Sequence, residues 1–250
     1  MEVRRLALRI FCCKNWLNPY MSICLIWSFK MFGLLFVWLW SLAFNPSHAV
    51  DPIAFRWEVT VSSSYVNTED DDSFQRFLDK EHPFFDIDYE PSDLKAIESD
   101  FTANNARNYL LREEAWKAFA DMAWNFWNDF SWKQRLSINT AYRSYGVQKY
   151  LMTSYCAGRS WQCALPWTSE HQAWLALDLW VNGRSLDNAS FQWLQNNAHK
   201  WWFHNTYQKW IEIDGQISEP WHRRYLWVEL ATQLHEKNQS FAEWYYSLER

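Results

Sequence analysis

Two segments of the chain carry side chains that commonly bind a divalent metal. The first, TSEHQAWLALD (168–178), places His171 seven residues before Asp178, and the second, EPWH, places Glu219 three residues before His222. Histidine and aspartate are common zinc ligands, and three protein ligands leave a fourth position for water, whose pKa the metal lowers to about 7. These residues therefore predict a hydrolytic zinc site in which the Glu219 carboxylate accepts a proton from the attacking water.

The spacing of His171 and Asp178 restricts the backbone between them. In a helix, residues seven apart lie about 10.5 Å apart along the axis, too far to share an ion held at about 2.0–2.2 Å. In a straight strand, an odd separation puts the two side chains on opposite faces. The chain must therefore bend between them, and a bend beside a metal favours glycine, yet Trp174 stands there. Taken alone, these residues could also be scattered over the surface.

The elements that would position these residues are short and do not alternate regularly. Apolar side chains at three- and four-residue spacing predict a long helix over 110–130. Further helices are predicted over 94–101, through 148–152 and over 228–236, and short strands at 136–139, around 175–179 and at 211–213. This order indicates an α+β fold rather than a doubly wound sheet.

The N-terminal part of the chain has the pattern of an export signal. Basic residues precede an apolar run over 31–44, which is short for a membrane span of about 20 residues. Ser47-His48-Ala49 then fits a small-x-small cleavage site. We expect residues 1–49 to be a signal peptide, with Met21 as an alternative start, or an uncleaved anchor. Residues 50–72 would be a linker and 73–250 an exported domain in the periplasm, in the cell wall or on the outer face of the cytoplasmic membrane.

The composition restricts partners and metal-site types. The net charge is −5 and no long basic run occurs, so no nucleic-acid partner is expected. No CxxC pair is present, which gives a cysteine-based zinc site little support. In an exported protein Cys156 and Cys163 could form a small-loop disulfide; two unpaired thiols are the alternative. The remaining histidines after the signal are interpreted as structural or solvent-facing: His82, His199, His204 and His235.

Several motifs, in a fixed order, carry a resemblance to a known family. They are LDKEHP (78–83), DYEPSDL (88–94), LREEA (111–115), AYRSYGVQ (141–148), TSEHQ with LALD (168–178), WLQNNAHK (193–200) and EPWHRRY (219–225). From about Phe77 onward the chain resembles the VanY-type D-alanyl-D-alanine carboxypeptidases, a branch of the zinc peptidases that also includes lysostaphin-like enzymes and the Hedgehog signalling domain. The resemblance implies a small antiparallel sheet flanked by helices, and a monomeric enzyme that removes the C-terminal residue of peptidoglycan stem peptides without a catalytic serine.

The resemblance also implies a role for individual residues. His171, Asp178 and His222 would hold one zinc ion, Glu219 would be the catalytic base, and the Arg143 guanidinium would stabilise the oxyanion. Gln148 and Ser169 would hold the substrate peptide. Tyr142, Ser144 and Gln172 are weaker candidates, since packing or support of other groups would explain them equally well. Whether the cleaved bond is of the D,D type, of the L,D type or an internal cross-link stays open.

The tryptophans depart from the family pattern. The chain has 20 tryptophans and 5 glycines, whereas an average glycine content of about 7% predicts roughly 17. Trp167, Trp174, Trp202 and Trp227 stand where the family has glycine, and an indole fits a glycine bend only at a large steric cost. Certain bacterial lineages read the codon UGA as glycine, and a common alternative table reads it as tryptophan. We hypothesise that these positions are glycine in the cell.

The other tryptophans divide into two groups. Trp193 and Trp221 match tryptophans of the family and are expected to be genuine. The sequence leaves five undecided: Trp38, Trp40, Trp132, Trp180 and Trp210. If the indoles at the glycine positions are real instead, the site would be distorted, and the protein would be an inactive wall-binding module of the same fold that stacks aromatic faces on glycan.

Overall fold

The centre of the fold is a four-stranded antiparallel sheet, seen in a computed structural model that describes residues 66–103 and 109–248. Its strands follow the order β3-β4-β6-β5; their bounds are β3 Leu136–Thr140, β4 Ala176–Val181, β5 Phe203–His204 and β6 His222–Tyr225. A separate antiparallel pair joins β1 (Leu94–Ala96) to β2 (Leu110–Arg112). The predicted signal segment and most of the predicted linker lie outside the described residues.

Six α-helices flank the sheet within residues 66–103 and 109–248. They are α1 Glu113–Asp129, α2 Tyr145–Tyr150, α3 Asn188–Asn197, α4 Ile211–Asp214, α5 Val228–Lys237 and α6 Phe241–Leu248, and a π-helical turn over Leu151–Tyr155 continues α2. The predicted α+β fold, a small antiparallel sheet flanked by helices, is confirmed. Within the described residues no helix combines the length and the apolar character needed to cross a membrane.

The main core lies between α1 and the four-stranded sheet. The buried residues of α1 recur at three- and four-residue spacing, including Ala115, Phe119, Met122 and Phe126. They belong to one apolar cluster with inward-facing strand residues such as Leu136 and Leu179. Burial of one face of this helix therefore supports the strands that carry the candidate site.

Three predicted secondary-structure elements differ from those in the structure. The helix predicted over 110–130 is present, but it begins at Glu113 because residues 110–112 pair with β1. The helix predicted over 94–101 is wrong, since residues 94–96 form that strand and only Ser99–Phe101 make a 3-10 turn. The strand predicted at 211–213 is also wrong. These residues form the short helix α4, which the Asp214 side chain supports by accepting the amides of Gln208 and Lys209 at 2.7 and 2.6 Å.

The acidic run Glu69–Asp72 (EDDD) takes part in the described domain. The Asp71 carboxylate accepts a hydrogen bond from Arg76 Nε at 2.9 Å and from the amide of Phe85 at 2.9 Å. Arg112 reaches Asp72 with an N···O distance of 3.3 Å. The boundary at residue 72 stays a prediction, but these contacts attach the end of the predicted linker to the folded domain.

A disulfide joins Cys156 to Cys163, with the Cα atoms 6.0 Å apart. This is the bonded one of the two alternatives that the sequence left open. The bridge closes the loop after the π-helical turn and lies at the edge of the candidate site, where Cys163 forms part of the wall.

Among the tryptophans that the structure describes, six have backbone angles that L-residues rarely adopt. Their φ angles are 64° at Trp132, 70° at Trp167, 54° at Trp174, 67° at Trp202, 88° at Trp210 and 69° at Trp227. All four positions at which the resemblance implies glycine are in this set. Of the three undecided tryptophans that are described, two belong to it, and Trp180 lies in β4 without a positive φ.

Candidate metal centre

The pairing of two central strands brings the predicted metal ligands together. Asp178 in β4 lies opposite His222 in β6 in the antiparallel register. His171 belongs to a 3-10 turn, Glu170–Ala173, which Trp174 and Leu175 separate from β4. The chain reverses at Trp174, which has the left-handed angles φ 54° and ψ 28°. The bend expected between His171 and Asp178 is therefore present, and one ligand atom from each of the three residues lies within 4.8 Å of the others.

Each imidazole uses one nitrogen for a protein partner and turns the other toward Asp178. His171 Nδ1 lies 2.7 Å from the Ala141 carbonyl, and His222 Nε2 lies 2.7 Å from Glu170 Oε2. His171 Nε2 and His222 Nδ1 are then 3.3 and 3.4 Å from Asp178 Oδ1. The His171 Nε2 atom is buried and has no hydrogen-bond partner within the described residues. Metal-binding histidines commonly have this arrangement, because the outer partner fixes ring orientation and tautomer.

The electrostatics of the cluster fit a bound cation. Burial and the Arg143 guanidinium lower the pKa of His171 to about 4, so this imidazole is neutral. Burial opposes charge on His222, but Asp178 and Glu170 raise its pKa to about 9. Without a metal, His222 is therefore protonated and lies between the Asp178 and Glu170 carboxylates. A metal bound at this place would displace the proton. Two imidazoles and one carboxylate form a donor set that suits zinc.

Glu219 lies beside the three-residue cluster. Its Oε2 atom is 3.9 Å from His222 Nδ1, and its backbone N–H donates a hydrogen bond to the Tyr207 carbonyl at 3.0 Å. Burial raises the pKa of Glu219 to about 7, and nearby Asp178 adds to this effect while His222 opposes it. A carboxylate with a pKa near neutrality is suited to exchange protons with a substrate at physiological pH.

Arg143 is tied to the cluster through the second oxygen of Asp178. Its Nη2 atom lies 2.5 Å from Asp178 Oδ2, whereas Oδ1 faces the two imidazoles. Its backbone amide also donates to the His171 carbonyl at 3.2 Å. The guanidinium lines a cavity of about 350 Å³ together with His171, Asp178, Glu219 and Ser169, and His222 lies buried behind this wall.

The remaining sequence-predicted residues lie in different places. Ser169 is buried and lines the cavity, whereas Gln148, Tyr142, Ser144 and Gln172 are not among its lining residues. Gln148 is buried and its Nε2 donates to the Ala164 carbonyl at 2.7 Å, and Gln172 Oε1 accepts the amide of Trp167 at 2.6 Å. Ser144 caps α2, and the Tyr142 ring stacks on Trp174 at 4.1 Å. Of these four residues, Gln148 contacts a residue of the cavity wall, Ala164.

Sequence reasoning missed two groups that touch His222. Glu170 is buried and bonded to the imidazole, and the Tyr207 ring centre lies 4.7 Å from that of His222. Glu170 stands next to a predicted ligand in the motif TSEHQ, which was its only signal. Neither contact can be read from local spacing, because both depend on how distant segments meet.

Comparison with known proteins gives a match over residues 108–228 to the family model described as VanY, D-alanyl-D-alanine carboxypeptidase. A curated D-alanyl-D-alanine carboxypeptidase of Enterococcus faecalis (strain ATCC 700802 / V583) is 32% identical over 114 residues. A putative carboxypeptidase, YodJ, of Bacillus subtilis (strain 168) is 30% identical over 173 residues. These matches cover 45% and 63% of this chain, but only 42% and 62% of the two relatives, so the chain spans less than two thirds of either.

Solved structures agree with this fold. The structure of the LdcB LD-carboxypeptidase, which concerns peptidoglycan recognition, has a TM-score of 0.61 at 26% identity and covers 71% of this chain and 87% of that chain. A variant of a vancomycin-resistance D,D-pentapeptidase, VanY, in complex with Zn(II) has a TM-score of 0.56 at 22% identity, covering 68% and 97%. At that identity the second likeness concerns the fold alone.

Proposed function

We propose, from its membership of the VanY-type D-alanyl-D-alanine carboxypeptidase family, that this chain is a zinc-dependent carboxypeptidase acting on peptidoglycan stem peptides. The observation that carries the proposal is the convergence of His171, Asp178 and His222 beside a cavity that Glu219 and Arg143 also line. One zinc ion, held by the first three residues, is the proposed cofactor. The zinc complex of the VanY variant, which shares the fold, supports this assignment.

In the proposed mechanism each residue of the site has a separate role. A bound zinc ion supplies Lewis acidity, which acidifies water and polarises a peptide carbonyl. Glu219 accepts the proton of the attacking water and returns it to the amine of the leaving amino acid. Arg143 offers N–H donors to the oxygen on which negative charge develops. Asp178 contacts both the histidines and Arg143, because Oδ1 faces the imidazoles while Oδ2 accepts a hydrogen bond from the guanidinium and holds it in place.

The substrate class follows from the relatives, and its stereochemistry stays open between them. The Enterococcus faecalis relative is a D-alanyl-D-alanine carboxypeptidase, and LdcB is an LD-carboxypeptidase. We therefore propose removal of a C-terminal D-amino acid from a D,D or an L,D bond. Ser169, buried at the cavity wall, is the proposed peptide contact, and Gln148, Tyr142 and Ser144 would act by supporting that wall. Mass analysis of the products from a defined muropeptide distinguishes these bonds and an internal cross-link.

The proposed substrate places the enzyme outside the cytoplasmic membrane. Stem peptides are part of the cell wall, and the basic residues, apolar run and Ser47-His48-Ala49 of the N-terminal segment provide an export signal or anchor. We propose that residues 1–49 direct export and that residues 73–250 form the peptidase domain. The alternative of an inactive wall-binding module finds no support in the reported relatives, which are described as carboxypeptidases.

His171→Ala is expected to lose most of the bound zinc and all measurable release of D-amino acid. The substitution removes one of only three donors, and its loss leaves a site too weak to retain the ion. His235→Ala is the matched control, because this imidazole stacks on His199 and lies outside the cavity. Zinc per chain, measured by elemental analysis after dialysis, checks the prediction. Normal zinc content in the His171 variant would refute the ligand assignment.

A further inference from the structure

The backbone at several tryptophans lies in regions that glycine normally occupies. Trp210 has φ 88° and ψ 173°, and Trp227 has φ 69° and ψ 169°, a region that is essentially restricted to glycine. Trp174 and Trp202 have left-handed angles, with φ 54° and 67°. Each of these four residues flanks a helix or helical turn, where glycine is a common cap. The backbone therefore has the form that a glycine-containing chain would take.

The energetic cost of keeping tryptophan at all six positive-φ positions is large. Backbone angles in such sparsely populated regions cost an L-residue roughly 1–3 kcal/mol each, so six such residues cost about 6–18 kcal/mol. The net stability of a whole domain is only about 5–15 kcal/mol. Six strained tryptophans would consume most of that stability, whereas glycine adopts the same angles without steric strain.

The surroundings of three of these indoles give little compensation for this strain. Trp132 is 62% exposed and Trp210 is 51% exposed, so neither gains much from burial. The indole of Trp174 is buried, but its Nε1 has no hydrogen-bond partner within the described residues, and an unsatisfied buried donor is itself costly. Trp193 differs on both counts, because it has no positive φ and its Nε1 donates to Asp129 at 2.7 Å.

We propose that the cell's own translation inserts glycine at Trp132, Trp167, Trp174, Trp202, Trp210 and Trp227, each encoded by UGA. The backbone angles extend the set from the four positions implied by the family to two that the sequence left undecided. They also separate this set from Trp180, Trp193 and Trp221, none of which has a positive φ. The inference concerns the chemical identity of the chain and holds or fails independently of its catalytic activity.

Glycine at two of these positions would change the candidate site. The Trp174 indole stacks on the Tyr142 ring at 4.1 Å, and the Trp167 indole stacks on the Tyr145 ring at 5.0 Å. These tyrosines flank Arg143 and Ser144, so the two indoles cover the segment that carries the proposed oxyanion group. Without the indoles, one face of each tyrosine ring is uncovered.

The test is to sequence the codons of the gene and to measure peptide masses of the natural protein by mass spectrometry. The gene should carry UGA at the six positions and UGG at Trp193 and Trp221. Peptides of the protein isolated from its own host should have the mass of glycine at the six and of tryptophan at the two. UGG codons, or tryptophan masses, at the six positions would overturn the proposal. If only some of the six carry tryptophan, the proposal is refuted at those positions.

A second, independent observation concerns the carboxylate behind His222. Glu170 is only 2% exposed, and its Oε2 lies 2.7 Å from His222 Nε2 and 2.6 Å from Thr206 Oγ1. The opposite nitrogen, Nδ1, faces Asp178. A carboxylate that accepts Nε2–H leaves the lone pair of Nδ1 free to bind a metal, because a neutral imidazole has only one N–H.

The geometry points to Glu170 as a positioning residue for His222, an inference that rests on the proposed zinc site. Thr206 holds the carboxylate in place through its hydroxyl. Glu170 therefore selects the tautomer and the ring orientation that suit metal binding at Nδ1, and it has no direct role in the chemistry. Residues that orient metal ligands in this way are typically worth 10–100-fold in metal affinity.

Two substitutions test this role. Glu170→Ala should lower zinc affinity about 10–100-fold and change the visible spectrum of the cobalt-substituted protein. Glu170→Gln should lose less, because its amide oxygen still accepts the Nε2–H bond. Asp214→Asn is the matched control, since this buried carboxylate accepts the backbone amides of Gln208 and Lys209 away from the cavity.

The two proposals fail in distinguishable ways. A wild-type protein that binds no zinc would contradict the proposed function. Wild-type zinc binding together with an unchanged zinc affinity and cobalt spectrum in Glu170→Ala would overturn only the positioning role. Equal losses in the alanine and glutamine variants would also overturn it, because the hydrogen-bond acceptor that glutamine retains would then have no effect. Thermal unfolding of the metal-free variants shows whether each protein is folded.

Discussion

A Glu219→Gln protein is expected to hydrolyse stem peptides about 10²–10⁴-fold more slowly than the wild type while retaining its zinc. The amide has nearly the shape of the carboxylate but cannot take a proton from the attacking water. Glu219 lies next to the three-residue cluster, 3.9 Å from His222 Nδ1, without being part of it. The loss should therefore appear in kcat, measured by release of D-amino acid, with zinc per chain unchanged.

Glu212→Gln provides the control for Glu219→Gln. Glu212 is an exposed carboxylate in α4, on the same connection between β5 and β6, and it does not line the cavity. Its variant should keep full activity. Activity of the Glu219 variant within a few-fold of wild type would refute the assignment of Glu219 as the catalytic base. Loss of zinc along with activity would show instead that Glu219 contributes to metal retention.

The parts of the fold that follow local rules could be predicted from the sequence. The apolar face of α1 has helical spacing, and the apolar strand β4 is short and bounded by turns. The bend between His171 and Asp178 also followed from residue geometry, since neither a helix nor a straight strand brings those side chains to one ion. The structure places that bend at Trp174.

The parts that depend on distant contacts could not be predicted. Strand β6 reads HRRY and was missed, because two fully buried arginines do not look like a central strand. Arg223 is tolerated there because its guanidinium donates to the carbonyls of Pro220 and His222 at 3.0 and 2.6 Å. The site shows the same limit. That Glu170 meets His222 follows from how the turn before β4 packs against β6, which no local pattern contains.

Replacing the exposed tryptophans Trp132, Trp210 and Trp227 together with glycine is expected to raise the free energy of unfolding by about 4 kcal/mol, the sum of the mid-range values for the three positions. Each change relieves roughly 1–3 kcal/mol of backbone strain and gives back about 0.5–1 kcal/mol through the greater freedom of glycine in the unfolded chain. Trp132 and Trp210, which are 62% and 51% exposed, have little burial to lose, whereas Trp227, 38% exposed, loses its contact with the Phe74 ring. Urea unfolding of the triple variant and of the chain with tryptophan at these three positions measures the difference in the free energy of unfolding.

Trp193→Gly gives the opposite expectation and serves as the control for this effect. Trp193 lies in α3, has no positive φ, packs edge-on against Phe126 and donates its indole N–H to Asp129. Removing it should lower stability by at least about 2 kcal/mol, through lost packing and a glycine inside a helix. Most substitutions destabilise, so a gain confined to the positive-φ positions can only come from released backbone strain. A triple variant less stable than the chain as written would mean that the fold accommodates these indoles, and the energetic argument for glycine would fail.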